Sequence, residues 1–294
     1  MKYKKQHWIP RSYLSAWCDN DIPVGYDPYV WLISKDWSQI KRKAPENIFY
    51  ENDMYTIHLA NGERNLSIEH GLSGLEDAVS KVVQNVIIKN KRLSLDDHII
   101  LCAFVAAMHE RTPSHRDHLK KQWGKVLSKM ESMRYQFERA TPEQQNAMMS
   151  IGPVSEGPTY STEDVRQMAE TPLQTMLMPS IQTQTSLLLK MNLSILYSIS
   201  KARFLTSDNP CVWFDPEAKH RPPMFRSVGL GYETVEITLP LSPRHAIILS
   251  WNSAPAYIEF PRRKVEALNY KTWLYSEDYV VSNANIEKPH WLGN

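Results

Sequence analysis

The stretch that most constrains the fold is residues 94–113, which holds the longest apolar run in the chain. From residue 99 to 108 every position is apolar or small, so no wet face is available and the segment reads as a helix buried on all sides. Ser94 and Asp97 make a short-acid capping box that fixes its start. Thr112-Pro113 ends it, because proline lacks the N–H and disfavours helix in the residue before it. The corner so defined carries His109, Glu110 and Arg111. A buried helix that delivers an arginine at its end must pair that charge, so acceptors have to arrive from elsewhere in the chain.

The partner helix is residues 65–89, where Ile68, Leu72, Leu75, Val79, Val82, Val83 and Val86 recur at three- and four-residue spacing. Before it, residues 3–9 read as extended, 10–17 as a short helix with Pro10 at its first position, and 45–49 as one helical turn. Residues 29–34 and 54–59, rich in aromatic and β-branched side chains, read as strands paired with each other. After the proline corner, helices are expected over 114–139, 141–152, 161–170 and 172–191, with Pro179 kinking the last and a loop over 153–160. From residue 193 the texture changes to short strands (193–199, 202–206, 211–214, 235–239, 246–251), then a helix over 262–275 and a strand over 279–282. Such closely spaced strands favour antiparallel pairing over βαβ units. The expectation is one α+β domain over 1–294: a helical core built on the 66–89 and 95–111 helices, with a mostly antiparallel sheet from N-terminal and C-terminal strands.

The formal charge of +2 provides no global field that would demand nucleic acid, although local patches are compatible with it. Cys18, Cys102 and Cys211 are odd in number and scattered, which argues against a disulfide framework or a cysteine zinc site and for a reducing, cytoplasmic setting. No apolar region follows Lys2, Lys4 and Lys5, and no run of about 18 apolar residues occurs, so neither export nor a membrane is expected.

Four places hold residues suited to chemistry. His7 and Arg11 flank the rigid Pro10, which fixes the direction in which both leave the backbone; the plainer alternative is a histidine bonded beneath an N-terminal segment. Glu69 and Glu76 stand seven positions apart on the amphipathic helix, at the edge of its apolar stripe. They suit a divalent cation such as Mg or Mn, general acid and base work, or a structural ion pair with Arg111. Asp208 and Asn209 lie where a strand runs into a turn closed by Pro210, a place for a rigidly held carboxylate or simply for an Asx turn. His115 and His118 share a helix face, but Arg116, Lys120 and Lys121 around them oppose a cation, so that face reads as basic, either phosphate-facing or solvated.

Taken in order, His7-Trp8-Ile9-Pro10-Arg11, Ile68-Glu69 with Leu75-Glu76, Arg111-Thr112-Pro113, Thr206-Ser207-Asp208-Asn209-Pro210 and Pro240-Leu241-Ser242-Pro243 give a layout that resembles the family called domain of unknown function 4238. The resemblance spans nearly the whole chain. It departs in the loop after Asp215 and in residues 152–160. It implies that His7, Glu69, Glu76, Arg111 and Asp208 form one cluster. The mix of acids, one histidine and one arginine suits phosphoryl chemistry better than acyl transfer. The expected activity is a metal-dependent hydrolase, a nuclease or nucleotide-processing effector of the toxin or antiviral defence kind. Glu69, Glu76 and Asp208 would hold the metal, His7 would exchange a proton, and Arg111 would stabilise negative charge. Arg11, Asn209, Arg116 and Lys120 would contact the substrate. The alternative is a binding module that recognises an anionic ligand or a partner protein through Arg111 and Arg11, a use that nine tryptophans and fourteen tyrosines also suit.

Overall fold

A computed structural model describes residues 4–19, 25, 27–150 and 159–292. Tyr3 and most of the expected loop over 153–160 lie outside the described residues. The chain divides into two compact units, one made of Met1–Thr112 with Met178–Asn294 and the other of Pro113–Leu177.

The larger unit begins with β1 (Lys5–His7), α1 (Arg11–Leu14) and a 3-10 turn at Ser15–Trp17, then β2 (Val30–Ser34) and β3 (Ile40–Lys43). A 3-10 turn at Pro45–Asn47 leads into β4 (Tyr50–Asn52), followed by β5 (Ile57–His58) and β6 (Arg64–Asn65). Next come α2 (Ser67–Val82), which continues as a π-helical turn over Val83–Ile87, and α3 (Leu95–Glu110). The expected cap on α3 is present: Ser94 Oγ accepts from the Asp97 N–H at 3.1 Å and Asp97 accepts from the Ser94 N–H at 2.8 Å. Leu101, Cys102 and Phe104 to Met108 are buried, but Ile99 is 39% exposed, so the enclosure expected from residue 99 begins only at Leu101 and the first turns keep a wet face.

The smaller unit is helical: α4 (Pro113–Arg139), α5 (Pro142–Ser150), α6 (Thr162–Glu170) and the first turns of α7 (Pro172–Leu188). Ser161 and Asp164 cap α6 reciprocally, and the Arg166 guanidinium joins Glu163 at 2.7 Å and Glu131 of α4 at 3.0 Å. Pro179 lies within α7.

The larger unit resumes with β7 (Asn192–Ser198), β8 (Thr206–Ser207), β9 (Val212–Phe214), β10 (Glu236–Pro240), β11 (His245–Ser250), β12 (Tyr257–Phe260), α8 (Arg262–Tyr275) and β13 (Tyr279–Ser282). One sheet has the order β12-β7-β11-β10-β9, antiparallel except that β12 runs parallel to β7. The other, β3-β2-β13-β8, is antiparallel and joins N-terminal to C-terminal strands. This is the expected α+β class. Leu196, Phe204, Ala246, Val265 and Leu268 pack α8 against the first sheet.

Two pairings differ from the sequence reading. β2 pairs with β3 and β13, while residues 57–58 pair locally with 64–65. The true neighbour, Ile-Lys-Arg-Lys at residues 40–43, is an exposed edge strand whose charges hide it from a hydrophobic pattern. β12 has only four residues, and its parallel pairing follows from a crossing that no local signal announces. No helix among the described residues is long and apolar enough to cross a membrane.

Candidate functional site

Three pieces of the larger unit meet at one cleft of about 780 Å³: the β1–α1 segment, α2, and the C-terminal end of α3. The first is held in place through β1, which pairs with β4 so that His7 stands opposite Tyr50. Gln6, between the two lining residues Lys5 and His7, points inward and is fully buried. Its amide donates to Thr56 Oγ1 at 3.0 Å and accepts from the Tyr55 N–H, which satisfies a group that would otherwise be costly to bury. Trp8 reaches away to donate from Nε1 to the Asp208 carbonyl at 3.2 Å, and Tyr13 donates to the Pro240 carbonyl at 2.8 Å. Extended strand followed by Pro10 therefore aims His7 and Arg11 at the cleft.

Arg111 is the hub. Only 2% exposed, it donates from Nη1 to Glu76 Oε1 at 2.8 Å, from Nη2 to the His7 carbonyl, and from Nε to the Tyr55 hydroxyl at 3.4 Å. The Tyr55 hydroxyl in turn donates to the Arg111 carbonyl at 3.3 Å. Burial opposes the guanidinium charge, but Tyr55 and Glu76 outweigh it and hold the charged form. Burial also pushes the Tyr55 phenol up to about 12, so it stays a neutral donor. The charge that the sequence left unpaired thus finds Glu76, as anticipated, together with a backbone carbonyl and a tyrosine that periodicity did not reveal. The neighbouring His109 and Glu110 face elsewhere: His109 stacks on Trp213 at 4.1 Å, and Glu110 accepts from Gln184.

Glu69 sits two turns before Glu76 on α2 and lines the same cleft. It makes no hydrogen bond or ion pair among the described residues. Burial raises its pKa, and Glu76 pushes the same way while Arg111 pulls it back. His7 is shifted in the opposite sense, down to about 4, by burial and by the cations Arg11, Arg111 and Lys5. At neutral pH it is therefore an uncharged imidazole. Its Nε2 donates to the Glu46 carbonyl at 3.3 Å, and Tyr50 lies against the ring at 5.5 Å. Burial thus disfavours the imidazolium of His7.

Asp208 is not with them. It is absent from the cleft lining, and its carboxylate accepts from the N–H groups of Glu277 at 2.9 Å, Asp278 at 2.7 Å and Tyr279 at 2.9 Å. The expected metal triad of Glu69, Glu76 and Asp208 is corrected accordingly: three backbone donors occupy the aspartate, and one Glu76 oxygen belongs to Arg111. Asn209 is likewise committed, donating to the Tyr275 carbonyl at 3.1 Å. Arg116 and Lys120 belong to α4 of the smaller unit, where Arg116 Nε donates to Asp117 at 2.8 Å and Lys120 is exposed.

Residues that the sequence reading did not assign complete the cleft. Lys4 and Lys5 line it together with Arg11, and Glu46 and Asp77 add acids. Lys5 Nζ donates to Asn47 at 3.2 Å and lies 4.5 Å from the Tyr50 ring centroid. Their signal was present only as the basic run at residues 2–5, which gains meaning once β1 is known to border the cleft. The side chain of Arg11 makes no hydrogen bond among the described residues and is exposed. The arrangement combines exposed cations, Lys4, Lys5 and Arg11, with a half-buried carboxylate of raised proton affinity, Glu69.

No curated protein matches this chain, and neither does any solved structure. A family model does match, over residues 5–285, and its span takes in every element that builds the cleft. The chain therefore belongs to the family described as a protein of unknown function, DUF4238.

Proposed function

We propose that the cleft hydrolyses a phosphate ester, as a nuclease or nucleotide-processing enzyme, with Glu69 as the general base. The observation that carries this reading is Glu69 itself. It is a half-buried carboxylate with a raised pKa and no partner, next to a Glu76–Arg111 pair already satisfied from within. A structural carboxylate would be paired, and a solvated one would not be shifted upward by burial. Arg11, Lys4 and Lys5 supply the positive edge for the phosphate oxygens. Arg111 acts as a positioning residue, because each of its nitrogens already donates within the protein.

In the reaction a water oxygen attacks phosphorus while Glu69 takes its proton. The bond to the leaving oxygen breaks, and that oxygen collects the proton from Glu69 or solvent. Neutral His7 offers Nδ1 as a hydrogen-bond acceptor that orients water or a substrate hydroxyl. Among the carboxylates expected to ligate a cation, Glu69 and the free oxygen of Glu76 remain, so any Mg or Mn would rely on substrate phosphate and water for its other ligands. A role in toxin action or antiviral defence would follow from a nucleic-acid substrate and belongs to the same proposal.

The test is to incubate the purified protein with bis(p-nitrophenyl) phosphate, RNA, single-stranded DNA and nucleoside triphosphates, with magnesium, with manganese and with chelator. Hydrolysis of at least one of these is expected. Glu69→Gln should lower kcat/KM by about 100-fold or more, and Arg11→Ala should act mainly through KM. No turnover of any substrate, or turnover indifferent to Glu69→Gln, would sink the proposal. Saturable binding without turnover would instead support the reading of an anion-recognition module.

A further inference from the structure

A second pocket, of about 530 Å³, shares Ser12 and Glu76 with the acid cleft. Its volume lies within the range of about 300–1,000 Å³ usual for small-molecule sites. The walls are Phe104, Tyr13, Val79, Val83 and Leu241. Apart from Glu76 at the shared edge, its polar lining is uncharged. Ser12, Ser80 and Gln84 all line it, and none of these side chains makes a hydrogen bond among the described residues.

The backbone gives an independent pointer. Right at this pocket α2 changes to a π-helical turn over Val83–Ile87, with the Ile88 N–H bonding the Val83 carbonyl at 3.0 Å. The π turn closes α2, since residues 88–90 form a turn and no helix follows until α3, and its wider ring replaces the tighter α-helical ending at the pocket wall. Here it brings the pocket residues Val83, Gln84 and Ile88 into a widened turn.

We infer that this pocket holds the nucleobase of a nucleotide whose phosphate lies in the acid cleft. Aromatic and aliphatic walls suit the faces of a flat ring, and free hydroxyl and amide groups, able both to donate and to accept, suit its polar edge. An alkyl chain would make no use of those polar groups, Ser80 being the least exposed of them, and a second phosphate would meet no cation. The inference rests on the phosphate-ester reading of the cleft and narrows it to substrates that carry a base.

Calorimetric titration of the full chain with adenosine 5′-monophosphate, uridine 5′-monophosphate and ribose 5-phosphate tests it. At least one nucleotide should bind about tenfold or more tightly than ribose 5-phosphate. Ser80→Phe, which fills the pocket, should erase that ratio while leaving ribose 5-phosphate affinity unchanged. Gln84→Ala, a substitution at an exposed position, should weaken nucleotide binding about threefold or more and decides the matter if Ser80→Phe does not fold. Equal binding of all three compounds, no binding of any, or a ratio unmoved by both variants would overturn the inference. Failure of the hydrolase reading is distinguishable, because Glu69→Gln should retain the base preference even if no turnover is found.

Discussion

Glu69 and Asp208 are both acids at which burial raises the pKa, yet their surroundings give them opposite uses. Asp208 is 7% exposed and accepts from three consecutive backbone N–H groups, which pull against the burial shift and tie residues 277–279 to the turn after β8. Glu69 has no such donors and faces the cleft. Partners, more than burial or residue type, separate a carboxylate that holds a fold together from one kept available for proton transfer. Arg111 stands between these cases, a buried charge at the wall of the cleft with every nitrogen engaged.

The contrast can be broken experimentally. The largest effect is expected for Arg111→Ala, which leaves Glu76, the His7 carbonyl and Tyr55 without their donor. A loss of about 3–5 kcal/mol in urea denaturation is expected, and a loss below about 1 kcal/mol would show that the hub is not structural. Asp208→Ala should cost about 2–4 kcal/mol by orphaning three N–H groups, with Asp208→Asn recovering part because its amide oxygen still accepts.

The third effect is a pH dependence. The unfolded imidazole of His7 protonates near its ordinary value of 6.5, whereas the folded one does so only at about 4. The unfolded state therefore binds more protons in that window, and stability should fall as pH is lowered from 6.5 towards 4. His7→Gln should flatten this slope, and a slope unchanged by the substitution would assign the acid sensitivity to other groups. The smallest effect on stability is expected for Glu69→Gln, within about 0.5 kcal/mol of the parent, or slightly stabilising at neutral pH, because it removes an unpaired charge. A destabilisation as large as that of Asp208→Ala would erase the distinction between the two acids.

Features that depend on neighbours along the chain are legible in the sequence alone. The capping box of Ser94 and Asp97, the buried C-terminal half of the helix that follows, the stripe of α2 and the need of Arg111 for a glutamate all follow from spacing and charge. What escapes such a reading depends on distant pairing. Tyr55 and Glu46 enter the cleft region because β1 pairs with β4, some 45 residues away, and nothing local to either segment records that register. Asp208 illustrates the reverse error: a polar turn after a strand suits catalysis and loop anchoring equally, and only the position of residues 277–279 decides between them.

The bonds from Trp8 to the Asp208 carbonyl, from the Thr206 hydroxyl to Tyr13, from Tyr13 to the Pro240 carbonyl, and from Trp17 to the Phe204 carbonyl have a consequence for synthesis on the ribosome. The segment that carries His7 and Arg11 is made first, but its anchors emerge about 190 to 230 residues later. Closing such long loops is entropically slow and must wait for β8 and β10 to appear. Synthesis that has not reached residue 204 lacks all of these fastenings, and until Pro240 is added the bond from Tyr13 to its carbonyl is still missing. The cleft therefore completes late, and the growing chain passes through an interval in which His7 and Arg11 exist without a finished site around them.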